Sequence, residues 1–240
     1  MPSSSHRPRK RFGQHFLHDP RVRERIVDAL SLQPSDLVVE IGPGEGALTT
    51  LLRKHSRIET IEIDRDLAAK LKAEGVKVHE ADALEFDFSV FPSGVRIVGN
   101  LPYDISTPLL FHLARYADRV RDMHFMLQLE VVERMVAKPS TPEYGRLSVA
   151  LQARFRMEKL FNVSKGAFQP PPKVESAVVR LVPRDPILKI DEDLLRKAFS
   201  ARRKTLKNAL AGIDLVKLGI DPKLRPENLS PEDYSRISAG

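Results

Sequence analysis

Leu37-Val38-Val39-Glu40-Ile41 is an apolar run that stops abruptly at Gly42-Pro43-Gly44-Glu45-Gly46. Five residues are too few for a buried helix, so the run reads as a strand buried on both faces. Such a strand belongs to a parallel sheet, and a parallel sheet needs helices to carry the chain back between strands. The pattern that follows supplies them. A helix is expected over residues 47–54, a strand over 58–64, a helix over 65–74 and a strand over 76–79 that ends at Ala81-Asp82. A further strand over 95–99 delivers Asn100, residues 108–117 read as a helix, and 123–129 as a strand running into a helix. Upstream, Asp19 can cap a helix over 19–30 with Pro20 in its first turn, and Val22, Ile26, Val27 and Leu30 line one face. Strands alternating with helices predict an α/β fold with a parallel sheet.

After Tyr144 the pattern changes. Residues 148–155 and 177–182 read as strands of a closing hairpin, with Pro170-Pro171-Pro172 between them. A break follows at Pro183-Arg184-Asp185-Pro186, and short helices with a Pro/Asn/Gly-rich tail occupy the rest. We therefore expect three parts: a flexible basic arm over 1–12, a catalytic domain over 13–185 and a small helical domain over 186–240. The length, 240 residues with 42% hydrophobic, is enough for one large core and one small one.

Charge narrows the partner. The net charge is +7, and it is clustered. Arg7, Arg9, Lys10 and Arg11 crowd the start, and Arg196, Lys197, Arg202, Arg203, Lys204 and Lys207 lie in a stretch, 194–212, that holds no acid. Such clusters suit a polyanion, and nucleic acid is the expected partner. We read 196–207 as one helix with Leu195, Phe199, Leu206 and Leu210 turned inward and Arg203, Lys204 and Lys207 turned to phosphates. With no cysteine there are neither disulfides nor thiolate metal sites, and the seven histidines show no metal-ligand spacing. The start has no apolar core of a signal peptide, and no run is long enough to span a bilayer. A soluble, cytoplasmic, monomeric protein is the expectation.

The glycine turn after the first buried strand is suited to a nucleoside-like cofactor, because glycine lets the backbone approach a ligand and the next helix offers N–H donors. Glu62 closes the second strand, where an acid can accept both ribose hydroxyls, with Asp64 a weaker candidate. Asp82 closes the third, where it can accept from an adenine amino group. The glycine spacing is not the Gly-x-Gly-x-x-Gly of NAD folds. That spacing, with Glu40 directly before the turn, favours S-adenosylmethionine.

Asn100-Leu101-Pro102-Tyr103 closes the strand after that. Asn100 offers an amide oxygen to an exocyclic amine, Pro102 stiffens the backbone, and Tyr103 offers a flat face for a base. The four together suit a pocket that holds adenine by N6.

These motifs, with Phe12-Gly13-Gln14-His15-Phe16-Leu17, the block from Phe168-Gln169-Pro170-Pro171-Pro172-Lys173 on to Leu181, and Ala198-Phe199-Ser200-Ala201-Arg202-Arg203-Lys204-Thr205-Leu206-Lys207-Asn208, resemble the rRNA adenine N6-dimethyltransferases of the small-subunit (16S) branch. The resemblance runs in order along nearly the whole chain. It implies a class I (Rossmann-like) S-adenosylmethionine-dependent methyltransferase fold with a small α-helical C-terminal domain. It also implies transfer of four methyls to two adjacent adenosines near the 3′ end of small-subunit rRNA. By motif position, Gln14, His15, Leu17, Gly42, Gly44, Glu62, Asp82, Ala83 and Asn100 would touch the cofactor. His15 stands where the family often has Asn, and would donate to the methionine end. Asn100 and the carbonyl of Leu101 would accept from N6 of a flipped base, with Tyr103 on one face and Phe168 on the other. Arg202, Arg203, Lys204 and Lys207 would meet RNA. No metal and no strong general base is called for.

Other readings stay open at this point. A large-subunit rRNA adenine methyltransferase shares the catalytic motifs, whereas DNA adenine methyltransferases tend to Pro-Pro-Tyr. A small-subunit assembly factor with little turnover is a binding protein of a different class, and an NAD oxidoreductase is the plain α/β alternative.

Overall fold

The computed structural model describes residues 15–240. The basic arm and Gln14 lie outside the described residues. A two-residue strand, β1 (Phe16–Leu17), leads into helix α1 (Pro20–Leu30), whose N-cap Asp19 accepts from the backbone of Arg21 and Val22. Then come β2 (Leu37–Ile41), the short helix α2 (Thr49–Leu52), β3 (Arg57–Glu62), α3 (Arg65–Ala73) and β4 (Lys77–Glu80). The chain returns through β5 (Val95–Asn100), α4 (Ser106–Ala114), β6 (Val120–Gln128), α5 (Leu129–Val136) and α6 (Arg146–Gln152). It closes the sheet with β7 (Phe155–Val163) and β9 (Ser176–Pro183), with β8 (Phe168–Gln169) between them.

The seven-stranded sheet has the order β4-β3-β2-β5-β6-β9-β7. The first five are parallel; at one side β9 runs antiparallel to β6, and β7 runs antiparallel to β9. From β2 the chain winds outward through β3 and β4, then comes back to β5 and winds the other way. The switch therefore lies between β2 and β5, where an open α/β sheet leaves a crevice at its carboxyl ends. β8 pairs with β1 instead of the main sheet, with Leu17 opposite Phe168.

Side chains alternate across the strands, so each strand feeds two cores. Val39, Ile61, Ile97, Met123, Phe125 and Leu181 pack against α4, α5 and α6, while Val38, Val98, Met126 and Val178 pack against α1 and the β1–β8 pair. A third cluster joins α7 (Glu192–Ser200), α8 (Leu206–Ala209) and α9 (Pro231–Ala239) to Tyr144 and Val149, with Val149 supplied by α6.

Two expectations are corrected. Residues 146–152 form α6, not the first strand of the hairpin; β7 supplies the strand that pairs with β9. Leu-Ser-Val-Ala-Leu alternates as a strand would, but α6 is covered on two sides. Leu147 and Leu151 enter the first core, Val149 enters the third, and the Ser148 hydroxyl donates to the Arg134 carbonyl. Residues 196–207 are not one helix either. α7 ends at Ser200, and the N–H groups of Leu206 and Lys207 bond the carbonyls of Leu224 and Pro222 instead of continuing the helical ladder.

One polar cluster is buried under α1. Arg96, 3% exposed, donates twice to Asp122 at 2.8 Å, to Asp36 at 2.9 Å and to the Leu30 carbonyl. It ties β5 to β6 and to the α1–β2 connection. Burial alone would raise the Asp36 carboxyl, but the Gln33 N–H and the Arg96 guanidinium outweigh it and hold Asp36 below its ordinary value. Removing one partner of a buried ion cluster leaves uncompensated charge. Arg96→Met is therefore expected to cost about 3–5 kcal/mol in urea unfolding at neutral pH.

Candidate functional site

The carboxyl ends of β2, β3 and β5 stand side by side. Ile41 is in register with both Ile61 and Gly99, and Glu62 with Glu80. The end of β2 turns at Gly42, Gly44 and Gly46, all at positive φ (62°, 57° and 84°). A Cβ on Gly42 would meet nothing within 4 Å, so the backbone there borders open space. A Cβ on Gly44 would come 2.9 Å from Cε1 of Phe16, which places the β1 segment over the turn.

Two carboxyls lie at this turn. Glu62, 5% exposed, accepts from the N–H of Asp64 at 2.8 Å and of Gly44 at 3.2 Å. Burial pushes its carboxyl up, the neighbouring Asp64 charge adds to that, and the two N–H bonds only partly oppose it. Glu40, 2% exposed, accepts from the Thr49 hydroxyl at 2.6 Å. Burial, aided by Glu62, raises Glu40 to about 7. Asp64 caps α3 through the N–H groups of Asp66 and Leu67. Asp82 is half-buried after β4 and accepts from Leu84 N at 2.9 Å, and Ala83 is buried in the first core.

Asn100 ends β5 and is half-buried. Its Nδ2 donates to the carbonyl of His15 at 2.9 Å. A carbonyl can only accept, so the amide oxygen Oδ1 is the end left for a ligand. Leu101 is buried, and its N–H donates to the Met126 carbonyl at 3.2 Å. The Pro102 and Tyr103 carbonyls accept from Ile105 N and the Ser106 hydroxyl, which seats the tetrapeptide on the start of α4. The Tyr103 hydroxyl lies 2.7 Å from Ser176 Oγ. Burial, with help from Glu175, pushes the phenol up, so Tyr103 stays neutral and supplies a surface, not a base.

The structure gives three expected residues partners within the protein. Phe168 is 1% exposed and packs with Leu17, Val163 and Val178, so neither face is open to a base. Pairing in β8 turns it inward and Gln169 outward. Leu17 is buried in the same cluster. The His15 Nδ1 donates to the Pro170 carbonyl at 2.8 Å, which leaves Nε2 as the ring nitrogen without that partner. Sequence reasoning misses three residues. Ser176 holds Tyr103, Thr49 holds Glu40, and Ile63, 46% exposed, leaves an apolar side chain in solvent next to Glu62. Ile63 is legible as an apolar residue between two acids at a strand end; the other two depend on contacts.

Among the expected RNA contacts, Arg203, Lys204 and Lys207 are exposed. Arg202 is engaged internally, with Nε 2.6 Å from Glu227 and Nη2 2.9 Å from the Pro142 carbonyl. Among the described residues no His/Asp/Glu group is gathered as a metal site requires.

The raised Glu40 has a consequence for stability. Its stabilising contribution is present below about pH 4.5 and is lost as pH rises through about 7. Ligand-free Glu40→Gln is expected to lack this decline, so its urea midpoint relative to wild type should rise across that window.

Comparison with known proteins agrees with this geometry. The family model described as "Ribosomal RNA adenine dimethylase" matches residues 5–239. A "Ribosomal RNA small subunit methyltransferase A" of Chromobacterium violaceum is 56% identical over 253 residues, covering 98% of this chain and 96% of that protein. The crystal structure of a dimethyladenosine transferase from Plasmodium falciparum superposes with a TM-score of 0.83 at 28% identity, over 93% of this chain and 96% of the other. The 23S rRNA methyltransferase ErmE gives 0.72 at 28% identity, over 93% and 98%. The parallel sheet, the glycine turn and the Asn100 tetrapeptide thus sit in a class I methyltransferase framework, and the chain belongs to the ribosomal RNA adenine dimethylase family.

Proposed function

We propose that this protein transfers methyl groups from S-adenosylmethionine to N6 of two adjacent adenosines near the 3′ end of small-subunit rRNA. The products are dimethyladenosines formed during ribosome assembly. One observation carries the reading: Asn100 is held by the His15 carbonyl with its amide oxygen left to accept, as an exocyclic amine requires. The near full-length similarity to a small-subunit methyltransferase supports the choice of RNA.

The turn fits the cofactor. Open space beside Gly42 and the two carboxyls beyond it suit a nucleoside bearing positive charge. Gly42 and Gly44 would line its path, Glu62 would accept its ribose hydroxyls, and Asp82 with Ala83 would meet its adenine. Leu17 belongs to the segment over the turn, next to Phe16, and Gln14, which the resemblance also assigns to the cofactor, lies outside the described residues. When bound, the cofactor supplies an electrophilic methyl group on a sulfonium.

The chain's own residues act on the target base. Stacked RNA hides N6, so the adenosine must be unpaired or flipped. Tyr103 takes one face of the ring. Asn100 Oδ1 and the Leu101 carbonyl accept from N6 and so aim its lone pair, and Pro102 keeps those two acceptors rigid. The half-buried setting removes water that would compete for the amine, and the released proton passes to solvent. Exposed Arg203, Lys204 and Lys207 meet backbone phosphates. We place the basic arm at 1–12, the catalytic domain at 13–185 and the RNA-binding domain at 186–240, and we place the protein in the cytoplasm as a monomer. No helix among the described residues is long and apolar enough to cross a membrane.

The test is labelled methyl transfer to unmodified small subunits, with large subunits and duplex DNA in parallel. N6,N6-dimethyladenosine from the small subunit alone is expected; label in large-subunit RNA or DNA alone would overturn the reading. Asn100→Ala is expected to lower transfer on the order of 10²-fold, as loss of one preorganised polar group at a reacting centre does. Replacing Arg203, Lys204 and Lys207 together by Ala should make the plot of log binding constant against log salt shallower. The slope should fall by about 0.7–0.9 for each phosphate no longer neutralised, read by filter binding at several salt concentrations.

A further inference from the structure

We infer that Ser176 is a positioning residue for the target adenosine, acting through Tyr103: its buried hydroxyl holds the Tyr103 ring where the base must stack. This rests on the methyltransferase reading and deepens it. Stacking by itself needs only a flat face, which a phenylalanine offers equally well. The Tyr103 hydroxyl therefore calls for a separate reason. Burial keeps the phenol neutral, so it serves as no base. Among the described residues its hydrogen-bond partner is Ser176 Oγ, at 2.7 Å.

The anchor is rigid and buried. Ser176 opens β9 in register with Gln128 of β6 and Val163 of β7, so strands flank its backbone on both sides. It is 0% exposed, and among the described residues its hydroxyl has no hydrogen-bond partner but Tyr103. Directly before it, the Glu175 carbonyl accepts from the Leu129 N–H and the Glu175 carboxylate from the Lys165 N–H. In the sheet β6 stands between β5 and β9, so the Tyr103 side chain crosses the carboxyl end of β6 to reach its anchor.

This arrangement enforces the position of the ring. If Tyr103 swung toward solvent, its own hydroxyl would find water, but the Ser176 hydroxyl would be left buried and unpaired, which costs free energy. The tie lies on the long axis of the ring and so sets where that axis points. Packing then sets the plane, with the His15 ring stacked at 5.6 Å between centroids and 30° between planes. At the backbone end, the Tyr103 carbonyl accepts from the Ser106 hydroxyl at 3.0 Å. The platform is thus in place before a base arrives, and the reaction is spared the cost of ordering it.

The experiment is a double-mutant cycle of Ser176→Ala and Tyr103→Phe, which delete the same tie from its two ends and keep the aromatic face. Methyl transfer to saturating unmodified small subunits gives kcat, calorimetry gives the dissociation constant for S-adenosylmethionine, and urea unfolding gives stability. Each single variant is expected to lower kcat by roughly 10-fold, the scale of one hydrogen bond. The double variant should be no slower than either single one, because only one tie is lost; independent roles would multiply to about 100-fold. The dissociation constant for S-adenosylmethionine should stay within about 2-fold of wild type in all three. Tyr103→Phe leaves the Ser176 hydroxyl buried alone, so its urea midpoint should lie below that of the double variant. A shifted midpoint with full kcat in either folded single variant would make the contact merely structural and overturn the inference. Losses that multiply, or weakened cofactor binding, would overturn it as well. Should Ser176→Ala fail to fold, kcat of Tyr103→Phe decides by the same criterion. A wild type that methylates no small-subunit RNA would sink the parent reading, an outcome distinct from these.

Discussion

The site depends on how closely β5 approaches β2 at their carboxyl ends. At Gly99 a Cβ would lie 2.8 Å from the Ile41 carbonyl oxygen and 2.9 Å from the Leu101 side chain. Only hydrogen fits there. That closeness sets Asn100 beside the glycine turn, at the switch point of the sheet. The other end of the same strand is fixed by Arg96 and its two aspartates. Arg96, Val98 and Asn100 share one face of β5, so the buried ion cluster, the second core and the base-gripping amide are set by one strand.

Electrostatics divides the molecule into two regions of opposite character. At the turn, Glu40 and Glu62 are both pushed up because each is buried, and Glu62 also raises Glu40. A cation entering there would relieve a cost the protein already bears. In the C-terminal segment, Arg203, Lys204 and Lys207 stand exposed in a stretch without acids. The net charge of +7 thus conceals an acidic recess as well as a basic surface, and each matches a different ligand of the same reaction.

The β1–β8 lip is the part of the site with least local support. Each of its strands is two residues long, and they are far apart in the chain. Neither would form alone. Phe16 over Gly44, Leu17 and Phe168 in the second core, and His15 across to Tyr103 and Pro170 hold it in place. For this reason Phe168 defies a local reading: beside three prolines it looks like a loop aromatic, and only its pairing with Leu17 turns it into the core.

What the sequence determined is whatever a short segment settles for itself. Leu37–Ile41 and Val95–Asn100 are strands because their apolar runs cannot be anything else between turns, and Asp19 caps α1 because its carboxylate reaches the N–H groups directly ahead. The glycine turn, Glu62 at a strand end and the Asn100 tetrapeptide were legible for the same reason. Tertiary structure decided the rest. Residues 146–152 became a helix because two cores cover them, and 201–205 became a turn because the N–H groups that follow found carbonyls near residue 224. Only the fold could bring the His15 carbonyl to Asn100, since the partners lie on segments with no local reason to meet. Local propensity acts over a few residues, whereas the direction an amide or an aromatic ring faces is set by neighbours that the chain reaches only once it has folded.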